Sequence, residues 1–246
     1  MELRGKTALI TGGARRIGSE VALGLAREGA DIVVQYRSSS ADAAALRDSI
    51  AGLGVRCYLV RADLGKPGGC AALIRGAVAK AGRIDALVNN ASVFRPMGFG
   101  EADFESVAAN VRVNAWAPFE LGRLFAERFK TGRIINMLDT KVSGYNFGSF
   151  PYYLSKKMLE TLTMSMALKL APGITVNAVA PGLILPPEGR SDAYLETLKN
   201  GVPLRRRGYP KDVADAIVFL LRSDFITGQV VYVDGGEHLN PMVTGL

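Results

Sequence analysis

The sequence of 246 residues has two cysteines, a single histidine and no hydrophobic run that could span a membrane. Cys57 and Cys70 cannot form a disulfide framework, and neither a CxxC pair nor a cluster of metal ligands accompanies them. The longest uncharged run, residues 170–187, contains four prolines and two glycines, which excludes a transmembrane helix. Residues 1–13 lead directly into a strand and a glycine turn rather than forming a secretory signal. We therefore expect a cytoplasmic protein without metal, disulfides or membrane contacts.

Positive charge is in moderate excess, because 30 lysines and arginines against 23 acidic residues give a formal net charge of +7. Such an excess suits nucleic acid, an anionic membrane or an anionic small ligand, and the positions of the charges distinguish these partners. No lysine-rich run or basic tail is present, and the arginine clusters at 15–16 and 205–207 lie within patterned segments. We therefore expect a small-molecule ligand and no nucleic acid.

Short apolar segments alternate with segments whose apolar residues follow helical spacing. The apolar segments span residues 6–11, 30–36, 55–60, 85–91, 133–138, 174–180 and 229–234. Strands that are apolar on both faces and separated by long helices indicate a parallel sheet that is covered on both sides. The sequence therefore predicts an α/β fold: one doubly wound, Rossmann-like domain over residues 1–246, with a parallel sheet of about seven strands and helices on both faces. Residues 181–200 are expected to form a substrate-loop insert over the carboxyl edge of the sheet, where such folds bind ligands.

The first turn, residues 11–18 (TGGARRIG), joins the first strand to the first helix. Its backbone amides and the helix N-terminus are suited to a dinucleotide pyrophosphate. The candidate cofactor contacts in this turn are Gly12, Arg16, Ile17 and Gly18. An ordinary tight turn has the same sequence pattern, so residues elsewhere in the chain must show whether this turn binds a dinucleotide.

The end of the second strand indicates which dinucleotide is bound. Folds that prefer NAD place an acidic residue there, whereas this strand ends in Tyr36, Arg37 and Ser38, and no acid occurs before Asp42. Arg37 and Ser38, with Arg16 as a further donor, offer charge-assisted hydrogen bonds to a 2'-phosphate. NADP(H) is therefore the predicted cofactor. Further candidates for the adenine and ribose region, which could equally cap loops, are Asp63, Asn89 and Ala91.

A tyrosine and a lysine four residues apart form the candidate catalytic pair. Tyr152 and Lys156 fall on one face of a predicted helix. A neighbouring ammonium stabilises a phenolate and moves the pKa of tyrosine, ordinarily ~10, toward the range useful for proton transfer. Tyr153 and Lys157 have the same spacing, so spacing alone does not show which pair is catalytic. A solvated helix face would also show this pattern.

Several motifs occur together and carry a resemblance to a known family. They are TGGxxxIG at 11–18, Asp63–Leu64, NNA at 89–91, Asn114, IIN at 134–136, YxxSK from 152, VNAVAPG at 176–182 and VDGG at 233–236. In this combination the chain resembles a short-chain dehydrogenase/reductase over nearly its full length. The resemblance selects Tyr152 and Lys156, because Ser155 and the LETLT segment that follows match the family. It also implies that Lys156 bonds the nicotinamide ribose and that Asn114 positions a water for proton relay. The cofactor contacts that it adds are Leu64, Pro181 and Gly182.

Two departures from the family pattern bear on the substrate. Asp139 stands where the family has its catalytic serine, 13 positions before the tyrosine. An ionised aspartate only accepts hydrogen bonds and repels the oxygen of a ketone that gains negative charge, so simple carbonyl reduction is disfavoured. A carboxyl beside Tyr152 could instead relay a proton to a basic ring nitrogen during reduction of a C=N bond. The second departure is Arg16, which replaces the middle glycine of the turn.

Both departures occur in pteridine reductases, which the chain resembles through TGxxxRxG at 11–18, NMxD at 136–139 and NNASxF at 89–94. The chain is also similar to dihydromonapterin reductases around LAPxxxVNxxAPxLIL and DGGxHL. This resemblance implies that Phe94 stacks on the pterin, that Ser92 bonds it and that Arg16 bridges substrate and cofactor; Phe94 could also be a core-edge aromatic. The family further implies a homotetramer. The expected pocket rim consists of Leu183 to Glu188, Tyr145, Phe147 and Phe150.

The leading hypothesis is an NADPH-dependent pteridine or dihydromonapterin reductase, in which hydride reaches a ring carbon and a proton passes through Tyr152 and Asp139. The alternative is a carbonyl reductase, such as a 3-oxoacyl thioester reductase, in which Thr140 or Ser143 replaces the missing serine. A non-catalytic NADP-binding module, with Asp139 as a structural cap, is a third hypothesis. His238 is expected to be a packing or interface residue, and of the arginines at 205–207, Arg206 is expected to be structural and its neighbours solvated.

Overall fold

The computed structural model describes residues 1–187, 189–240 and 243–244, and seven of its strands form one parallel sheet. The strands are β1 (Thr7–Ile10), β2 (Asp31–Tyr36), β3 (Cys57–Arg61), β4 (Ala86–Asn89), β5 (Gly132–Met137), β6 (Tyr145–Asn146), β7 (Ile174–Pro181), β8 (Val230–Val233) and β9 (Val243–Thr244). The lateral order of the large sheet is β3-β2-β1-β4-β5-β7-β8, and β6 pairs with β9 outside it. The predicted doubly wound sheet of about seven strands is confirmed.

Helices cover both faces of this sheet, as the apolar character of the strands predicts. They are α1 (Arg16–Arg27), α2 (Ser40–Ala51), α3 (Gly69–Ala81), α4 (Phe104–Val111), α5 (Ala117–Phe129), α6 (Phe150–Leu170), α7 (Ala193–Leu198) and α8 (Pro210–Arg222). Apolar residues of α1, α2 and α8 pack on one face of the sheet, and those of α3, α5 and α6 pack on the other. None of the helices in the described part of the chain is both long and apolar enough to cross a membrane.

The core follows the alternation of side chains along the strands. In β1, Leu9 packs with the α3–α5–α6 side while Ile10 packs with the α1–α2–α8 side, and both are fully buried. Val33 and Val34 divide in the same way in β2. Consecutive side chains of a strand point to opposite faces, so a strand between two helical layers must be apolar at every position. Burial of both faces holds the carboxyl ends of the strands in fixed positions.

Three local features differ from the sequence-based expectation. The helical stretch predicted across 103–129 consists of α4, a π-helical turn at Arg112–Trp116, and α5. The predicted insert at 181–200 contains α7, whereas Glu188 of the predicted rim lies outside the described residues. The β6–β9 pair was not predicted, because each strand has two residues and leaves no periodic pattern.

The order of strands reverses between β1 and β4, because the chain moves outward from β1 to β3 and then returns to β4 on the other side. Loops on the two sides of such a switch point diverge and leave a crevice at the carboxyl ends of the strands. The turn after β1 and the loop after β4 border this crevice, so the fold itself places the candidate cofactor turn there.

Candidate active site

A cavity of about 970 Å³ opens at the carboxyl edge of the sheet. It brings together most of the residues that the sequence predicted. Those that line it are Gly12, Arg16, Ile17, Gly18, Tyr36, Arg37, Ser38, Asp63, Leu64, Ala91, Ser92, Phe94, Asp139, Tyr152, Lys156, Pro181 and Gly182. From the predicted rim, Tyr145, Leu183, Ile184, Leu185 and Pro187 also line it, whereas Phe147 and Phe150 do not.

The glycine turn after β1 depends on close backbone approaches. Gly12 has a φ of +59°, and a Cβ there would lie 2.9 Å from the Cα of Ala91. A Cβ on Gly18 would lie 2.4 Å from the carbonyl oxygen of Gly12. The amide of Gly12 donates to Oε1 of Gln35 at 2.8 Å, and Nε2 of Gln35 donates to the Ala62 carbonyl at 2.7 Å. Gln35 thus ties this turn to β2 and the end of β3, a role that the sequence analysis missed because the residue lies inside an apolar strand.

The two arginines of the turn point to different parts of the cavity. Nη2 of Arg16 donates to the carbonyl oxygen of Pro186 at 2.6 Å, toward the insert over the sheet. Nε of Arg15 lies 3.9 Å from Oδ2 of Asp42 in α2, the helix that follows Arg37 and Ser38. In this geometry the Arg16 side chain leads to the substrate loop, and its part as a further donor beside Arg37 and Ser38 stays a prediction. Arg15, which sequence reasoning left out, lies on the Arg37 side.

Asn89 does not face the cavity. Its side chain is buried, and Nδ2 donates to Oδ1 of Asn136 at 2.9 Å, which joins β4 to β5. The neighbouring Asn90 lines the cavity, and its Nδ2 donates to the carbonyl oxygens of Thr11 and Gly12 at 2.9 and 3.0 Å. The structure therefore brings Asn90, rather than Asn89, to the cavity. The alternation of side chains along a strand could have shown this, because only one of two consecutive side chains can face the crevice.

Tyr152 and Asp139 form the chemical centre of the cavity. The hydroxyl of Tyr152 donates to Oδ2 of Asp139 at 3.0 Å. Oδ1 of Asp139 accepts from the amide of Lys141 at 2.9 Å, so the same carboxyl caps the short 3₁₀ turn Thr140–Ser143. One carboxyl oxygen of Asp139 therefore binds the backbone of the turn, and the other binds the Tyr152 hydroxyl.

Lys156 lies one helical turn after Tyr152 in α6. Its Nζ donates to the carbonyl oxygen of Met137 at 2.7 Å and lies 5.6 Å from the centre of the Tyr152 ring. Tyr153 and Lys157 do not line the cavity. Nζ of Lys157 instead pairs with Glu160 at 2.6 Å on the outer side of the helix. The structure therefore brings Tyr152 and Lys156, rather than the neighbouring pair, to the site.

Burial and Asp139 shift the ionisation of both groups. Burial, and then the negative charge and hydrogen bond of Asp139, raise the pKa of Tyr152 well above its ordinary value. Tyr152 therefore keeps its proton at neutral pH. Burial lowers the pKa of Lys156 to about 8, although Asp139 opposes the change. The Lys156 ammonium therefore loses its proton at a lower pH than an exposed lysine does.

Asn114 supports the site from beneath and does not line the cavity. It lies in the π-helical turn, where one extra residue per turn redirects a side chain. Its Nδ2 donates to the Val93 carbonyl at 2.9 Å and to Oγ of Ser155 at 3.0 Å, and its Oδ1 accepts from Oγ of Ser92 at 3.1 Å. Asn114 thus joins α6 to the loop after β4 and orients Ser92, whose hydroxyl proton is used in this contact.

Phe94 forms an aromatic wall beside the tyrosine. Its ring lies edge-on to that of Tyr152 with centroids 5.0 Å apart, and 45% of the residue is exposed. A core-edge aromatic would be covered by neighbouring side chains, so this exposure favours a ring that receives a ligand. A flat conjugated ring stacked there would gain roughly 0.5 to 1.5 kcal/mol beyond area burial.

Neither hydroxyl that could replace the family's serine is free. Oγ1 of Thr140 donates to Oδ2 of Asp234 at 2.5 Å, and Oγ of Ser143 donates to the Thr140 carbonyl at 2.9 Å. Nδ1 of His238 lies 2.9 Å from Oδ2 of Asp234, and its ring stacks on that of Tyr232 with centroids 4.1 Å apart. His238 has a packing position, as expected, and does not line the cavity. Arg206 does not have the structural role expected of it, because its side chain is exposed and donates to the carbonyl of the adjacent Arg207.

The chain is similar to known reductases over nearly its full length. A family profile described as Enoyl-(Acyl carrier protein) reductase matches residues 12–238. The 3-oxoacyl-(acyl-carrier-protein) reductase FabG of Staphylococcus aureus (strain Mu50) is 34% identical over 242 residues, which cover 95% of this chain and 98% of the relative.

Two solved structures share the fold closely. The structure of FolM alternative dihydrofolate reductase 1 from Brucella suis in complex with NADP is 32% identical with a TM-score of 0.92, and 97% of each chain is covered. The angucycline C-6 ketoreductase LanV with bound NADP is 32% identical with a TM-score of 0.90, again over 97% of each chain. Ketone and dihydrofolate reduction are thus both represented among similar proteins, and overall likeness does not separate them.

Proposed function

The chain belongs to the short-chain dehydrogenase/reductase family of oxidoreductases, and on that premise we propose that it is an NADPH-dependent reductase of pterins or dihydropterins. The observation that carries the proposal is the 3.0 Å hydrogen bond from the Tyr152 hydroxyl to Asp139, in place of a serine hydroxyl. The substrate would lie between Phe94 and the bound nicotinamide.

The residues around the cavity fit NADP(H). The glycine turn and the N-terminus of α1 line the cavity and present backbone amides to a pyrophosphate. Arg37 and Ser38 line the cavity and supply donors to a 2'-phosphate, each charge-assisted bond contributing roughly 1.5 to 3 kcal/mol when shielded. Lys156 would hold the nicotinamide ribose. Similar structures with bound NADP support this assignment. The bound cofactor supplies hydride to a ring carbon of the substrate.

Tyr152 and Asp139 would transfer the proton that accompanies the hydride. Tyr152 remains protonated at neutral pH and can donate to a basic ring nitrogen as hydride arrives at the adjacent carbon. The phenolate that would form beside a carboxylate is unfavourable, so Asp139 must return a proton from solvent to the tyrosine oxygen. The carboxyl is positioned for this step because its other oxygen is fixed by the Lys141 amide.

The remaining residues orient a flat ring. Phe94 presents an exposed ring face beside Tyr152, and Ser92 stands next to it with its oxygen lone pairs available. Arg16 is held at the substrate loop through Pro186 and so lies between the cofactor turn and the insert. We infer that residues 181–200 form the substrate loop of one catalytic domain spanning residues 1–246.

Keto-reduction is the second candidate function, and its support comes from relatives such as FabG and LanV. Besides Tyr152, it requires a second hydroxyl donor to the developing oxyanion, in the place of the family's serine. Thr140 and Ser143 already donate to Asp234 and to a backbone carbonyl, and Asp139 offers a negative charge at that position. The site therefore favours a C=N substrate over a ketone. The cytoplasmic location and the homotetramer stay predictions from the sequence.

Steady-state oxidation of NADPH by the purified protein tests the proposal. The substrates are dihydrobiopterin, dihydromonapterin, dihydrofolate and an acetoacetyl thioester, each assayed under the same conditions. We expect the largest kcat/KM with a dihydropterin or dihydrofolate. A larger kcat/KM with the thioester would favour the second candidate, and no turnover of any substrate would favour a binding module.

A further inference from the structure

The short 3₁₀ turn that follows Asp139 is held by a carboxylate that does not line the cavity. Oγ1 of Thr140, the residue after Asp139, donates to Oδ2 of Asp234 at 2.5 Å. Both partners are buried, with 3% of Thr140 and 6% of Asp234 exposed. Hydrogen bonds from a hydroxyl to a carboxylate are shorter and stronger than those between neutral groups. This contact therefore fixes the start of the turn.

The contact joins parts of the sheet that are not neighbours. The turn follows β5, whereas Asp234 follows β8, and β7 lies between these two strands. Adjacent strands are about 4.8 Å apart, so the ends of β5 and β8 are separated by roughly 10 Å. Asp234 lies against Gly182, just after the end of β7, where an added Cβ would lie 2.6 Å from Cβ of Asp234. The absence of a side chain at position 182 thus lets Asp234 reach over β7 to the turn.

Asp234 is itself held in place as an anion. Its Oδ1 accepts from the Gly236 amide at 2.9 Å, and its Oδ2 accepts from the His238 amide at 2.8 Å. Burial alone would raise the pKa of Asp234, but the hydrogen bonds from Thr140, His238 and Gly236 outweigh burial and leave the pKa lowered. Asp234 therefore stays ionised at neutral pH and remains a strong acceptor for the Thr140 hydroxyl.

The other end of the turn is held as well. Nζ of Lys157 donates to the carbonyl oxygen of Val142 at 2.9 Å. Between these two contacts lies the amide of Lys141, which donates to Oδ1 of Asp139 at 2.9 Å. The orientation of the Asp139 carboxyl thus depends on where the turn lies, and the contact between Thr140 and Asp234 helps to set that position.

The proposed proton transfer tolerates little displacement of this carboxyl. Oδ2 of Asp139 lies 3.0 Å from the Tyr152 hydroxyl. Side-chain contacts longer than about 3.5 Å are not hydrogen bonds, so a displacement of less than about 1 Å would break this one. A misplacement of about 1 Å at a reacting group can lower a rate about 100-fold. The position of the turn is therefore part of what the chemistry requires.

We propose that Asp234, acting through Thr140, is a positioning residue that holds the Asp139 carboxyl against the Tyr152 hydroxyl. This inference rests on the proposed function. Neither Asp234 nor Thr140 exchanges a proton with the substrate, so their effect on the reaction passes through the position of Asp139. Loss of the contact should lower kcat without weakening NADPH binding, and it should have little effect when the Asp139 carboxyl is already absent.

Thr140→Val tests the inference, because valine has nearly the shape of threonine and lacks the hydroxyl. The kcat for dihydrobiopterin at saturating NADPH is expected to fall about 10-fold, with a smaller change in KM. The Kd for NADPH, measured by fluorescence, should be unchanged, which also shows that the variant is folded. Thr140→Ser keeps a hydroxyl donor and should restore kcat to within about 3-fold of the wild type.

Thr163→Val is the matched control. Thr163 is fully buried in α6, its hydroxyl donates to the Leu159 carbonyl at 2.7 Å, and it does not line the cavity. Both threonine-to-valine changes remove a buried hydroxyl with its hydrogen bond, so both should lower Tm. Only Thr140→Val should lower kcat by more than about 2-fold.

A double-mutant cycle separates positioning from general damage. Asp139→Asn keeps an oxygen that accepts from the Lys141 amide and removes the carboxyl that carries the proton. Its kcat is expected to be roughly 1 to 10% of the wild-type value, which leaves a further loss of about 10-fold measurable. Adding Thr140→Val to this variant should change kcat by less than about 2-fold, because the group that Thr140 positions is gone.

Three results would contradict the inference. An unchanged kcat in Thr140→Val, or a loss that Thr140→Ser does not restore, would overturn the role of Asp234 and leave the proposed function intact. Losses that multiply in the double variant would also overturn it, because Thr140 would then act independently of Asp139. A wild-type protein that reduces no dihydropterin would overturn the proposed function, and the inference with it.

Discussion

Asp139 accepts a hydrogen bond from the Tyr152 hydroxyl on Oδ2 and caps the Lys141 amide with Oδ1. Serine in this position would offer one hydroxyl for both tasks and could donate to a substrate carbonyl. Burial raises the pKa of Tyr152, and the negative charge and hydrogen bond of this carboxyl raise it further. This one relationship disfavours ketone reduction and favours protonation of a ring nitrogen.

Cofactor preference is the first prediction. NADPH should give a kcat/KM at least about 10-fold above that of NADH, because Arg37 and Ser38 occupy the place of an acid. Arg37→Asp should lower the value for NADPH by about 10- to 100-fold and leave NADH unchanged or improved. Arg47→Asp, on the exposed side of α2, is the control and should change neither. Equal values for both cofactors in the wild type would refute the assignment of Arg37.

The two adjacent tyrosines should respond differently. Tyr152→Phe removes the proton donor and should lower kcat by roughly 10² to 10⁴. Tyr153→Phe should have a mild effect, because Tyr153 packs beside Phe150 and does not line the cavity. Turnover of dihydropterin under saturating NADPH is the measurement. The reverse order of effects would place the catalytic pair at Tyr153 and Lys157.

Lys156 should make activity fall at alkaline pH. Its pKa is about 8, so the ammonium is present below this value and lost as pH rises through it. Since the charge stabilises developing phenolate at Tyr152, kcat should decline above about pH 8. Lys156→Arg should shift this limb to higher pH, because a guanidinium keeps its proton. An alkaline limb that is identical in both proteins would assign the titration to another group.

Lys156 should also lower the free energy of unfolding. Its pKa is about 8 in the folded protein against an ordinary 10.5, so the unfolded chain binds more protons between these values and stability rises with pH there. At pH 7 the buried charge costs on the order of 3 kcal/mol. Lys156→Met should therefore raise Tm at pH 7 by at least about 2 °C while abolishing activity, and the gain should shrink at pH 9.5.

Lys157→Met is the control for this effect. Burial lowers the pKa of Lys157, but its hydrogen bond to Glu160 and the charge of that carboxylate, with other groups, leave the pKa raised. Removal of Lys157 should therefore give no stabilisation. A rise in Tm for both variants would show that the gain comes from added apolar surface rather than from the lost buried charge.

The fold could be predicted from the sequence because it follows from repeated local patterns. Strands such as β1 and β2 are apolar on both faces, and this marks a sheet between two helical layers. The π-helical turn around Asn114 could not be predicted, since its residues fit a continuous helix and the deviation comes from contacts with Val93 and Ser155.

The site was predictable where residue chemistry and spacing agree. The pairing of Tyr152 with Asp139 needed only the family register and the chemistry of the two groups. Asn90 and Arg15 were missed because their roles depend on which way neighbouring side chains point.

Asp139→Ser tests the central claim most directly, because serine keeps the N-cap of the 3₁₀ turn and removes only the carboxyl. The measurement is kcat/KM for a dihydropterin and for an acetoacetyl thioester, in the wild type and in the variant. We predict that the wild type prefers the dihydropterin. The variant should lose a factor of about 10 or more on the dihydropterin while its activity on the thioester stays or increases. A wild type that reduces the thioester faster than any dihydropterin, with both rates unchanged in Asp139→Ser, would contradict the account.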